Sequence, residues 1–131
     1  MNIPPGFNTV TPYFAVRGAE SFLDFLVEGL GGARLLCSRR PDGSVGNAQV
    51  RLGTSTVMVS EAPPGVEPQA SSYYLYVEDA DASMARALAA GATQIMAVAD
   101  MPYGDRQGGV RDPHGNQWWI SQRLVEGGYA E

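Results

Sequence analysis

Tyr13-Phe-Ala-Val16-Arg-Gly-Ala19-Glu20 and Tyr74-Leu-Tyr-Val77-Glu-Asp-Ala80-Asp81 are two versions of one pattern, with Val16 and Val77 an offset of 61 residues apart. Each opens as a short strand rich in β-branched and aromatic residues and runs into a helix that ends in Gly-Ala, at Gly32-Ala33 and Gly91-Ala92. A repeat this long, present only twice, is not a solenoid, which needs three or more stacked units. It predicts a duplicated module with pseudo-twofold packing.

Working outward, Thr9 to Val16 reads as a strand and Ala19 to Leu30 as a helix. Phe22, Leu23, Phe25, Leu26 and Leu30 mark its apolar face, opposite Glu20, Asp24 and Glu28. Gly31-Gly32 closes it as a glycine C-cap. Strands follow over Ala33 to Ser38, Asn47 to Leu52 and Thr56 to Ser60, separated by turns at Pro41-Asp-Gly43 and Gly53-Thr54. Pro63, Pro64, Gly65 and Pro68 make 62–70 a linker. The second copy gives a strand over Tyr73 to Val77 and a helix over Asp81 to Ala90, with Asp79 or Asp81 as N-cap and Gly91 as C-cap. Strands over Thr93 to Val98, Gly109 to Arg111 and Gln117 to Ser121 complete it.

The expectation is an α+β domain over 1–131. Module one covers 8–61, module two 71–122, and a C-terminal tail 123–131. In each module the helix covers one face of its sheet and strand alternation leaves the other face to line a ligand-sized cavity. At 131 residues, 44% hydrophobic and 18% charged, the chain has enough apolar residues for one core. A net charge of −5 argues against a nucleic-acid partner, which requires clustered positive surface. No apolar run reaches the ~20 residues of a membrane span and the start has no leader pattern, so a cytoplasmic protein without a membrane partner is expected. Cys37, in an apolar run, reads as a buried small hydrophobe rather than a reactive thiol.

The string Tyr103-Gly-Asp-Arg106-Gln-Gly-Gly109-Val-Arg-Asp112-Pro-His-Gly115-Asn116-Gln-Trp-Trp-Ile120, with Val10-Thr-Pro-Tyr13 and Leu75-Tyr-Val-Glu-Asp79, resembles the vicinal oxygen chelate superfamily. That group contains glyoxalase I, extradiol dioxygenases and bleomycin-resistance proteins, and the likeness is greatest to its PhnB-like branch, from about Thr9 to Gln122. The resemblance implies paired βαβββ modules and a homodimer. In its metal-using members four inward side chains, one from each of four strands, supply His, Glu or Gln. The corresponding positions here are Thr11, Val59, Ser72 and Trp119. Two hydroxyls, an isopropyl group and an indole give no anionic oxygen or imidazole, so neither a metal nor another cofactor is expected.

On the parity set by Trp119, the residues facing the cavity are Gln117, Trp119 and Ser121, with Ser72, Tyr74, Tyr76, Thr11 and Tyr13. Asn47, Gln49 and Arg51 alternate with apolar neighbours and add a polar row. Tyr103 and Arg106 complete the candidate ligand set; Asp105, Arg106 and Arg111 either pair with one another or meet a ligand carboxylate or phosphate. Trp118 should face the helices. Trp119, Tyr74 and Tyr76 either fill the core or form a stacking surface. Asp112-Pro-His-Gly115 has the residues of a tight turn, which leaves His114 facing solvent.

With no catalytic residue assigned, the resemblance implies a metal-independent protein that sequesters a hydrophobic or aromatic natural product, such as bleomycin, mitomycin or the peptide antibiotic thiocoraline. The rival is a glyoxalase-like lyase, isomerase or dioxygenase using Glu61, Asp105 or Tyr103 for proton transfer. A ligand-free dimerisation module is the third reading.

Overall fold

The computed structural model describes residues 1–130; Glu131, the last residue of the tail, lies outside them. The chain divides into two compact units, Met1–Gln69 and from Ala70 onward. The first contains β1 (Tyr13–Val16), α1 (Ala19–Asp24) continuing as a π-helical turn (Phe25–Gly29), β2 (Ala33–Arg39), β3 (Val45–Leu52) and β4 (Ser55–Glu61). The second repeats the sequence as β5 (Ser72–Tyr76), α2 (Ala80–Ala89), β6 (Thr93–Asp100), β7 (Asp105–Arg111) and β8 (Gln117–Arg123). Each unit is a βαβββ module with one mixed four-stranded sheet, ordered β1-β4-β3-β2 and β5-β8-β7-β6. The first strand of each runs parallel to the last, and the remaining pairs are antiparallel.

Alternation decides which face each helix covers. In the first unit Phe14, Val16, Ala48, Val50, Val57 and Val59 are buried together with Phe22, Leu23, Phe25 and Leu26 of the helix. Phe14 and Phe22 meet with ring centroids 5.0 Å apart. Full burial of a side chain of this size is worth ~1.5–3 kcal/mol, so this row holds the helix to the sheet. The second unit uses smaller helix residues, Ala80, Met84 and Ala87, against Val110, Trp118 and Ile120. Its helix approaches closely: a Cβ on Gly108 would lie 2.8 Å from Met84 Sδ.

The two helix starts are satisfied differently. Asp79 caps α2, its carboxylate accepting from Ala82 N at 3.0 Å, which settles the choice between Asp79 and Asp81. Gly18, at φ 84°, has no side chain to cap α1. Glu61 at the end of β4 does so instead, accepting from Ala19 N at 2.8 Å and from Gly18 N. Gln122 stands in the matching place of the second unit and accepts from Ala80 N at 3.0 Å.

Several expectations need correction. The first strand begins at Tyr13 rather than Thr9: Val10 is exposed and the Thr11 hydroxyl turns back to Asn8 O. The helix read as continuous from Ala19 to Leu30 widens after Asp24, with Leu30 N bonded to Phe25 O, five residues back. Strand β7 starts at Asp105, not Gly109, because Gly108 and Gly109 are demanded by close packing on opposite faces and do not break the strand. Cys37 is exposed. It lies on β2, the edge strand of its sheet, where every residue is exposed.

Candidate functional site

The faces left uncovered by the helices carry the polar and aromatic residues. In the first unit Tyr13 sits opposite Met58, and Met58 opposite Gln49, so β1, β4 and β3 bring these three side chains to one face. The Tyr13 and Ser60 hydroxyls are bonded at 2.8 Å. Asn47 and Arg51 share the Gln49 parity, and Arg51 Nε donates to Gly53 O at 3.0 Å.

The open face of the second unit is richer. Ser72, Tyr74 and Tyr76 on β5 stand directly opposite Gln117, Trp119 and Ser121 on β8. On β7, Arg111, Gly109, Gln107 and Asp105 stand opposite Gln117, Trp119, Ser121 and Arg123. Trp119 lies against Gly109: a Cβ built there would come within 2.6 Å of its Cζ3 and 2.8 Å of its Cε3. The absent side chain is what lets the indole approach the strand this closely. Tyr74 and Tyr76 are more than half exposed and meet edge to face at 6.2 Å.

Around this surface runs a polar network. Tyr103 donates to Gln107 Oε1, and Gln107 Nε2 donates to Ser121 Oγ at 2.6 Å. Ser72 Oγ donates to Gln117 Oε1 at 3.0 Å. Burial, then the adjoining Tyr74 phenol and the Asp105 carboxylate, push the Tyr103 hydroxyl above its ordinary range, so it stays a donor at neutral pH. Asp105 is fully buried, with Arg123 Nη1 at 3.0 Å from its Oδ1 and the Tyr129 hydroxyl at 2.6 Å from its Oδ2. An ionised carboxylate is tolerated there because a guanidinium and a phenol share its oxygens. The fold thus gathers Trp119, Tyr74, Tyr76, Gln117 and Tyr103 in one unit, and Tyr13, Asn47, Gln49 and Arg51 in the other.

Arg106 stands apart from these residues. Strand alternation turns it to the helix-covered side of β7, where it binds Asp81 at 2.8 Å and Asp100 at 2.9 Å. Its guanidinium holds the Asp81 carboxyl below the usual range. Asp105 pairs with Arg123, and Arg111 stands opposite Gln117 on the open face.

The Asp112 turn is a structural knot. Asp112 accepts from His114 N (2.8 Å), Asn116 N (3.0 Å), Asn116 Nδ2 (3.1 Å) and Trp118 Nε1 (2.8 Å). Trp118 faces the helix side and stacks on Tyr73 at 4.9 Å. Glu61, a candidate base, spends its carboxylate on the start of α1.

The positions aligned with a chelating set do not fit a metal ion. Val59 is fully buried on the helix side, so the open-face residue of β4 is its neighbour Met58, and Thr11 lies before β1. Ser72 and Trp119 keep their expected face. A thioether, hydroxyls and an indole still provide no carboxylate or imidazole. Among the described residues no group of three or more His, Cys, Asp or Glu side chains is placed to hold a metal.

Three members of the open-face network lay outside the sequence-derived ligand set: Gln107, Arg123 and Tyr129. Gln107 and Arg123 share the parity of Gly109 and Trp119, and extending those strands by one period would have reached them. Tyr129 belongs to a Gly-containing tail whose pattern says nothing about where it folds.

A family model described as the Glyoxalase/Bleomycin resistance protein/Dioxygenase superfamily matches residues 6–120. A protein of Mycobacterium bovis is 32% identical in an alignment covering 96% of this chain and 88% of that protein. Among solved structures, TioX from Micromonospora sp. ML1 is similar with 27% identity and a TM-score of 0.71, covering 92% of this chain and 100% of that one. TnmS3, an antibiotic binding protein from Streptomyces sp. CB03234, is similar with 25% identity and a TM-score of 0.67, covering 88% and 98%.

Proposed function

Because this chain belongs to the glyoxalase/bleomycin resistance protein/dioxygenase superfamily, we propose that it is one of the members that bind and sequester an aromatic natural product rather than chelate a metal. The observation that carries this reading is the second unit's open face, where Trp119 packs against Gly109 beside the exposed Tyr74 and Tyr76. Aromatic faces with a few fixed hydrogen-bonding groups suit a planar organic ligand, and stacking there requires no covalent chemistry. The likeness to TnmS3, an antibiotic binding protein, supports a binding role at that coarser level.

The proposal extends to a homodimer in the cytoplasm. Leu35 and Leu36, about half exposed on the edge strand β2, supply apolar surface for association. No helix among the described residues is long and apolar enough to cross a membrane.

Titration with bleomycin, mitomycin C and thiocoraline, followed by tryptophan fluorescence and calorimetry, tests the reading. A micromolar ligand is expected to quench the wild type, with affinity lost in Trp119→Ala. Absence of binding by all three, or binding indifferent to Trp119→Ala, overturns it. Stoichiometric Zn, Ni, Fe or Mn in the purified protein would also count against it.

A further inference from the structure

The C-terminal tail returns to the open face and places a phenol in it. Arg123 Nη2 donates to Gly128 O at 2.9 Å, and Arg123 Cζ lies 4.2 Å from the centroid of the Tyr129 ring. Leu124 N is tied to Gly104 O at 2.9 Å. The Tyr129 ring meets Tyr103 edge to face at 6.4 Å. Its hydroxyl reaches Asp105 Oδ2 and the Tyr76 hydroxyl, both at 2.6 Å. Tyr129 has one proton, and that proton goes to Asp105, so Tyr76 donates to the Tyr129 oxygen.

We propose that Tyr129 is an internal stand-in for the ligand: the site recognises a hydroxyaromatic ring whose O–H donates to Asp105 and whose oxygen accepts from Tyr76, and binding displaces the tail. This rests on the sequestration reading above and names its ligand chemistry. Three features select the phenol. Asp105 is a buried acceptor whose Oδ1 is held by Arg123, which leaves Oδ2 to take a donor. Tyr76 supplies a donor beside it. Arg123 lies over the face of an aromatic ring and Tyr103 meets that ring edge to face. An aryl ether can only accept, and an aryl carboxylate would set a second anion against Asp105. Tyr129 itself is nearly half exposed and held by a tail free of regular structure, so a ligand can compete for its place.

The probes are 2-naphthol, 2-methoxynaphthalene and 2-naphthoate, titrated into the full-length wild type, Tyr129→Phe and Tyr129→Ala with calorimetry and tryptophan fluorescence. Wild type should bind the naphthol over the ether by about tenfold, since loss of a charge-assisted hydrogen bond is worth about that factor, and should exclude the naphthoate. Tyr129→Phe, which keeps the ring and loses both hydroxyl bonds, should tighten naphthol binding about threefold or more, and Tyr129→Ala further. Equal binding of naphthol and ether overturns the ligand chemistry. Weaker or unchanged naphthol binding in both variants overturns the displacement, since Tyr129 would then be a wall of the site or irrelevant to it. If the antibiotics bind through Trp119 while the hydroxyl and Tyr129 make no difference, this inference fails alone; if no compound binds any variant, the sequestration reading fails with it.

Discussion

Replacing Gly109 by Ala tests whether Trp119 lies on β7. The added methyl would sit 2.6 Å from Trp119 Cζ3, 2.8 Å from Cε3 and 3.0 Å from Ile95 Cγ1. Carbon atoms settle at about 3.5–4.0 Å, so the indole must lift by about 1 Å or rotate off the strand. Overpacking of this kind costs ~1–3 kcal/mol. The substitution should therefore lower the urea midpoint, alter the emission of Trp119, and weaken any ligand stacked on it. Gly108→Ala is the control, because its methyl meets Met84 and Val98 on the helix-covered face. It should also destabilise, yet leave ligand binding intact once the protein is folded. Trp119→Phe separates the emission of Trp119 from that of Trp118. Wild-type stability and quenching in Gly109→Ala would refute the placement of the indole, and equal loss of ligand in both glycine variants would refute the division of the sheet into a packed face and an open one.

Other substitutions separate support from site. Asp112→Ala removes the acceptor of four hydrogen bonds and should cost about 3 kcal/mol or more in chemical denaturation, with Trp118 emission shifted. Arg106→Ala breaks pairs with largely exposed carboxylates, so a loss of no more than ~1 kcal/mol and unchanged ligand affinity are expected; a large affinity loss would return Arg106 to the binding face. Cys37 should react with a disulfide reagent in the dilute, monomeric native protein at a rate little different from that in urea, and more slowly at concentrations where β2 is covered by a second copy. The hydrogen bonds to Asp105 and Tyr76 raise the Tyr129 phenol above its ordinary range. Its folded value exceeds the unfolded one of ~10, so the tail contact is complete below that pH and is lost as pH rises through the folded value. A tyrosinate titration should accordingly show a late-ionising phenol that is missing in Tyr129→Phe.

The sequence made the module legible because both copies carry the same pattern: Phe14 and Val16 into the core, Tyr13 out, then a helix closed by glycine. The open face was legible wherever a strand alternated without interruption, as Asn47, Gln49 and Arg51 do on β3 and Gln117, Trp119 and Ser121 on β8. It failed where period two carries no signal. On β4 the apolar pair Met58 and Val59 offers no polarity contrast, and the wrong one was assigned to the open face. On β7 the adjacent glycines read as a strand boundary, which concealed the parity of Gln107 and Asp105 and set Arg106 among the ligand contacts. The capping role of Glu61 was not legible and Cys37 was misread as buried, because a helix start and a sheet edge are tertiary facts, invisible to local pattern.

The most direct test of the central claim is a nuclear magnetic resonance titration of the wild type with whichever antibiotic binds, following the two indole N–H signals. Trp118 Nε1 is locked on Asp112 behind the sheet, whereas Trp119 lies on the open face. A stacked ligand should move the Trp119 signal together with the Gly109 amide and leave the Trp118 signal in place. Movement of Trp118 alone, or binding that disturbs neither indole, would contradict the account.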